Sequence, residues 1–234
     1  MNSMLTIEPV LDIPVIKPDD DLTHIILEKL RLNKQQLNKG DIVCIASKII
    51  SVSENRFVDL KSVDVSASAL ELHNKIPRKD PRVLQLIFDQ AANDENNLRI
   101  NGSWIGVMHD VGRILTSGGV DKVDDDTVIL LPEDPGASAR NIGLALKASL
   151  GHDIGVLITD SDGREGIYGA TQLAIGLYGI PPLRQENDNQ ETACDMLAAA
   201  AGLVMGQRGN NIPVVFIRGY QYDFDPQVNL QSAY

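Results

Sequence analysis

The residues best able to do chemistry in this chain follow one another in Thr159-Asp160-Ser161-Asp162-Gly163-Arg164. Carboxylate and hydroxyl oxygens are hard ligands, suited to Mg²⁺ or Mn²⁺ beside a phosphate. Asp, Ser and Gly are also ordinary turn formers, so the same stretch reads as a solvated turn. Ser47–Arg56, Ser117–Asp126 and Gly206–Asn211 have the same character: oxygen ligands, glycine and a lone base past an apolar run. Glycine lets backbone amides approach a phosphate, while Asp and Gln oxygens can hold its counter-metal. Singly, each cluster reads as a turn; their recurrence at the ends of buried elements points to one shared site.

Apolar runs must position these clusters. Gly155–Ile158 is short and β-branched, as a buried strand should be, and it ends at the first cluster. Ile42–Ala46 reads as a second buried strand, ending at Ser47. Between and around them the spacing predicts helices after Asp20 or Asp21, over Ser66–Lys75, from Asp80-Pro81, over Ala137–Leu150 and over Glu191–Met205. Trp104–Met108 and Arg113–Thr116 read as paired strands, Thr127–Leu131 as another, and Val214–Ile217 as the last. Pro181–Asn189 reads as a polar connection and Tyr220–Tyr234 as a loosely packed polar tail. Strands outnumber helices at hairpin-like spacing, so the expected class is α+β rather than a βαβ array.

Composition narrows the functions. The chain has 234 residues, 43% hydrophobic and 23% charged, in the range of a soluble globular protein. A net charge of −11 argues against a general nucleic-acid binder, which needs a basic face to replace counterions. No apolar run reaches the length of a membrane span, and the start lacks the basic and apolar character of a signal peptide. Cys44 and Cys194 both sit in apolar patterns and read as small buried hydrophobes, which fits a reducing cytoplasmic setting. The four histidines have no metal-ligand spacing, and His109-Asp110 and His152-Asp153 read as surface pairs. No nucleophile elbow, phosphate-binding P-loop or strand-linked dinucleotide fingerprint is present.

Together the clusters resemble the gamma-glutamyl ligase family of coenzyme F-420 biosynthesis (F-420-0:L-glutamate ligase). The matching pieces are IPVI at 13–16, SKIIS at 47–51 with Glu54 and Arg56, KDPR at 79–82, GGVD at 118–121 and LLPEDPGASA at 130–139. TDSDGR at 159–164, AIGLYGI at 174–180 and AAAAGLVMGQRGNNIPVVFIRG at 198–219 complete the series. The resemblance implies an F-420 gamma-glutamyl ligase-like α+β fold with largely antiparallel sheets, one domain over 1–219 (or two subdomains) and an intertwined homodimer. It implies GTP as co-substrate, a divalent metal (Mg²⁺ or Mn²⁺), L-glutamate, and a deazaflavin-type or other acidic small molecule as the acid. By position, Asp121, Asp160, Ser161 and Gln207 fall where the family holds metal. Ile13, Pro14, Val15, Ile16, Ser47, Lys48, Asp124, Gly206, Arg208 and Gly209 fall where it holds the nucleotide, and Asp160 and Arg164 are the catalytic expectation.

The chain departs from the family pattern at several of these places. Val52 replaces a lysine, Asn55 a glycine, Ile167 an arginine and Ser117 an asparagine, and Asp124 stands where another asparagine is usual. The segment after Pro182 is shorter and lacks a basic, glycine-containing loop. Each lost charge-assisted contact is typically worth ~1.5–3 kcal/mol. Three readings follow: a GTP-dependent ligase, a ligase-fold homologue acting on another phosphorylated or acidic metabolite, and a non-catalytic binding protein on the same fold.

Overall fold

The computed structural model describes residues 4–206 and 211–233. In chain order the elements begin with β1 (Thr6–Pro9), α1 (Leu22–Leu32), β2 (Ile42–Ala46), α2 (Ser47–Ser53) and β3 (Phe57–Asp59). There follow α3 (Ala67–Lys75), α4 (Pro81–Gln90), β4 (Leu98–Asn101), β5 (Trp104–His109), β6 (Arg113–Thr116), β7 (Asp121–Lys122) and β8 (Thr127–Ile129). The remainder is α5 (Pro135–Leu150), β9 (Gly155–Gly163), β10 (Ala170–Tyr178), β11 (Arg184–Glu186), β12 (Asn189–Glu191), α6 (Ala193–Met205) and β13 (Val214–Arg218). The mix of helices with mostly antiparallel sheets is the α+β architecture that the strand spacing suggests.

Helix starts follow local chemistry. Asp21 accepts from the His24 backbone N–H, Ser66 from Ala69, Asp80 from Arg82 and Asp134 from Ala137, each satisfying a donor that the first helical turn leaves unpaired. Pro81 and Pro135 occupy the first turns of α4 and α5, where no amide is needed.

The chain forms two compact units. The first comprises 1–55, 132–161 and 170–234, and is built on a five-stranded sheet in the order β1-β13-β2-β9-β10. β1 and β2 both pair antiparallel with β13, whereas β2 and β9 run parallel. Ile42, Val43, Cys44, Ile45, Val156, Leu157 and Ile158 all have 0% exposure, so both faces of β2 and β9 are covered. That is why these segments are unbroken apolar runs rather than alternating ones. Helix α6 packs Cys194, Leu197, Ala198, Ala201 and Met205 on Ile42, Cys44, Leu157, Val215 and Ile217, while α5 also packs on β10.

The second unit comprises 56–131 and 162–169. Two three-stranded antiparallel sheets, β3-β8-β7 and β4-β5-β6, accompany α3 and α4 around Leu72, Leu84, Ile87, Ile105, Val107 and Val128.

Several expectations are corrected. TDSDGR is not a turn, because β9 continues through Gly163. Ser47–Ser53 forms a helix rather than a loop, and Pro181–Asn189 contains β11 and most of a short hairpin with β12. The tail is not loose. Phe224 packs edge-on against Tyr178 with ring centroids 5.5 Å apart, Asp225 bridges Gly179, and Leu230 is buried. Tail residue Tyr222 reaches the Asp41 carbonyl, and burial pushes its hydroxyl pKa up to about 12. Cys44 and Cys194 are buried free thiols, as expected, and burial raises the Cys44 pKa. Among the described residues no helix is long and apolar enough to cross a membrane.

One buried charge in the first unit has a specific partner. Asp41 is 2% exposed, and the Arg218 guanidinium donates to both its oxygens, Nε at 3.0 Å and Nη2 at 2.7 Å. The Asn38 amide donates to Asp41 Oδ2 at 2.7 Å, closing the turn that enters β2. Arg218→Met leaves the Asp41 carboxylate buried without its cation, an expected loss of about 3 kcal/mol. Urea unfolding measures it, and a loss under 1 kcal/mol would show that solvent already screens the pair.

Candidate functional site

In the first unit the parallel register between β2 and β9 sets the geometry. Ala46 is paired with Thr159, so the next residues of the two strands, Ser47 and Asp160, emerge side by side. The Ser47 hydroxyl donates to Asp160 Oδ1 at 2.6 Å across 113 positions of sequence. Ser47 is buried and Asp160 half-buried, so a short charge-assisted hydrogen bond holds a carboxylate at the edge of solvent. Ser161 and Lys48 are exposed beside them in sequence.

The end of α6 approaches the same place. The Thr159 hydroxyl lies 3.9 Å from the Met205 sulfur, which brings Gly206 near the residue preceding Asp160. Gly206 ends the helix with φ of +71°. Gln207, Arg208 and Gly209 lie outside the described residues. In the IPVI segment Pro14 and Val15 are exposed, Ile13 is half-buried and Ile16 is buried. Glu54 accepts from the Glu133 amide at 3.1 Å and from the Ser138 hydroxyl, tying the end of α2 to the start of α5. A shallow cleft of about 250 Å³ beside it is lined by Asp20, Asp21, Ser53, Glu54, Ser138 and Asn141. Its three carboxylates already accept hydrogen bonds from the protein.

The remaining expected residues belong to the second unit. Asp121 is exposed on β7, opposite Ile129 of β8. Asp124 is exposed in the turn after β7, where the Asp126 amide and then Thr127 hold its carboxyl below the usual range. Arg164 is exposed just past β9.

Asp162, not singled out as a site residue, is 6% exposed and accepts the Thr116 amide at 2.7 Å. The Thr116 hydroxyl in turn donates to the Gly163 carbonyl at 2.7 Å and accepts from the Trp104 indole at 3.0 Å. Burial raises the Asp162 pKa against opposing pulls from Thr116, Arg113 and Arg164. The alternation along β9 was the available signal: Asp160 and Asp162 are two apart and share a face. The turn-forming character of Asp, Ser and Gly masks it.

A divalent metal is testable against the residues present. Among the described residues no group of three or more His, Cys, Asp or Glu side chains could hold a metal ion. The Asp160 carboxylate with neighbouring hydroxyls still fits Mg²⁺, which takes one or two carboxylates and completes its shell with water and phosphate oxygens.

Backbone conformation bears on two of the departures noted in the sequence, accounting for one and not the other. Asn55 has φ of +53° and Ser117 of +55°, left-handed positions that asparagine and glycine tolerate best. Glycine-to-asparagine at 55 therefore keeps the turn, whereas serine at 117 is the more strained choice. Val52 is half-buried in α2, and Ile167 is 60% exposed.

His109 is not a surface ion pair. Its Nδ1 accepts the Val111 amide at 3.2 Å, which leaves Nε2 protonated to donate to Gln90 Oε1 at 3.1 Å. Burial lowers its pKa below the ordinary 6.5, outweighing Asp110. The unfolded chain then binds more protons than the folded one between the lowered pKa and 6.5. This contribution to stability is present above about pH 6.5 and lost as pH falls through that window. In thermal melts between pH 7.5 and 5.5, His109→Gln is expected to show a shallower acid-side decline than wild type, and identical slopes would remove His109 from this account. Ser47→Ala should cost about 1.5 kcal/mol in urea unfolding, the lower end for a hydrogen bond to a charged group.

The sequence profile of the family described as F420-0:Gamma-glutamyl ligase matches residues 10–219. A protein of Methanopyrus kandleri called coenzyme F420:L-glutamate ligase is 33% identical over 234 residues, covering 94% of this chain and 89% of that protein. A Methanothermobacter thermautotrophicus protein of the same name is 31% identical, over 89% of this chain and 86% of its own length. A third so named, from Methanosarcina mazei, is 32% identical over 95% of this chain and 89% of that one.

Proposed function

Because the chain belongs to the F420-0:gamma-glutamyl ligase family, we propose that it joins L-glutamate by an amide bond to coenzyme F420-0 or a related acid, with GTP and a divalent metal. The observation that carries the reading is the Ser47–Asp160 hydrogen bond, which unites two motifs of the family resemblance in one polar cluster beside the end of α6.

In this reaction a carboxylate oxygen of the acid attacks the γ-phosphorus of GTP and GDP leaves. The glutamate amine then attacks the acyl carbon, phosphate departs with the bonding electrons of the C–O bond, and the amine releases a proton to solvent. Both partners of the first step are anionic, so the rate depends on positioning and on offsetting charge. Mg²⁺ or Mn²⁺, when bound at Asp160, supplies that offset. Ser47 limits the rotation of the Asp160 carboxylate, so little reorganisation remains when phosphate arrives. Lys48 and Ile13–Ile16 supply nucleotide contacts in the same unit. The working form is a homodimer in the cytoplasm.

A metal-dependent melting shift is the test. GTP with Mn²⁺ at about one hundred times Kd stabilises the folded state by about 2.7 kcal/mol, a rise of roughly 5–10 °C for a chain of this size. Asp160→Asn should abolish the shift, and wild type should release phosphate from GTP only when L-glutamate and the acid are both supplied. No shift with GTP and Mn²⁺ overturns the reading. That outcome favours a homologue with a different acidic ligand, which the replacement of lysine by Val52 and of arginine by Ile167 would explain.

A further inference from the structure

Lys79 stands half-buried in the second unit with no carboxylate partner among the described residues. Its Nζ donates to Ser117 Oγ at 3.1 Å, and no ion pair with a described residue accompanies that bond. The carboxylate next to it in sequence is taken: Arg82 donates Nε to Asp80 Oδ1 at 3.0 Å and Nη2 to Oδ2 at 2.6 Å. Lys122, another cation close enough to feel Asp80, is paired with Asp125 at 2.8 Å. An ammonium removed from water without a counter-charge is costly, and burial accordingly lowers the Lys79 pKa.

The surroundings hold this pair in place. His73 Nδ1 lies 2.9 Å from the Lys79 carbonyl, fixing the backbone at the entry to α4. Ser117, Gly118 and Gly119 have φ of +55°, +59° and +70°. A Cβ on Gly118 would lie 2.8 Å from Gln90 Cβ, and one on Gly119 would collide with the Leu131 side chain, so the turn is packed tightly on both. Ser117 keeps a left-handed backbone without being glycine, a strain of the kind that persists only where packing over-determines it.

The donor inventory decides what fits. Lys79 has three N–H donors, one used on Ser117; the serine oxygen accepts that bond and keeps its own O–H to give. Two ammonium protons and a hydroxyl proton then remain, with a positive charge and no acceptor among the described residues. We propose that Lys79 and Ser117 form a binding site for an anionic oxygen, a carboxylate or phosphate group of a small acidic metabolite. The site stands on the second unit alone and does not depend on the ligase reading.

Isothermal titration of the full chain with inorganic phosphate and, separately, with glutarate tests it. Wild type should bind at least one probe, K79M at least tenfold more weakly and S117A about three- to fivefold more weakly. Binding of phosphate alone identifies a phosphate group as the source, and binding of glutarate alone a carboxylate. The Lys79 Nζ resonance should titrate at higher pH with the probe bound. Equal affinity in wild type and K79M overturns the site, as does the absence of binding by both probes. Should K79M prove unfolded by circular dichroism, S117A carries the same comparison, and unchanged affinity there is equally fatal. The melting shift of wild type with GTP and Mn²⁺ is read separately, so either reading can fail without the other.

Discussion

Parallel strands cannot be joined by a tight hairpin, so pairing β2 with β9 obliges the chain to leave the sheet and return. That pairing, Ile42↔Gly155 to Ala46↔Thr159, sets Ser47 beside Asp160 across 113 positions. Everything assigned to the first unit's polar cluster follows from this register. A slip by one residue would turn Asp160 to the other face of the sheet and part it from Ser47. The register is protected because both faces of the two strands are buried, leaving no alternative that keeps the apolar side chains from water.

The segment 162–169 shows how a carboxylate can serve architecture instead of chemistry. Asp160 and Asp162 lie on one strand, but Asp160 meets a serine hydroxyl near solvent while Asp162 is enclosed and accepts a backbone amide of β6. The chemistry of the two side chains is identical; their partners divide the roles. Within the second unit the same principle separates Asp80, neutralised by Arg82, from Lys79, which donates to the Ser117 hydroxyl.

Departures from the family pattern also sort by physical cause. Asn55 occupies left-handed backbone, so its exchange is a matter of conformational tolerance. Val52 and Ile167 carry apolar side chains that cannot donate to an anion whatever the backbone does. The first kind leaves the polar clusters' geometry alone, whereas the second changes what they can hold.

Local physics was legible directly. The caps at Asp21, Ser66, Asp80 and Asp134, the buried strands Ile42–Ala46 and Gly155–Ile158, and the apolar α6 are written in residue type and spacing, because each rests on contacts within a few positions. The motifs that carry the family resemblance are likewise continuous in sequence. What the sequence could not decide alone depends on partners far along the chain. The strand character of Thr159–Gly163 needs the rest of the sheet, since its residues are turn formers by themselves. The packing of the tail needs Tyr178 and Gly179, and the burial of Asp41 needs Arg218, 177 positions away. Propensity is a local quantity of tenths of a kcal/mol to about one per residue, and a strand ladder or a buried ion pair outweighs it. That is why tertiary structure settled which polar residues meet, and the sequence by itself settled only which elements carry them.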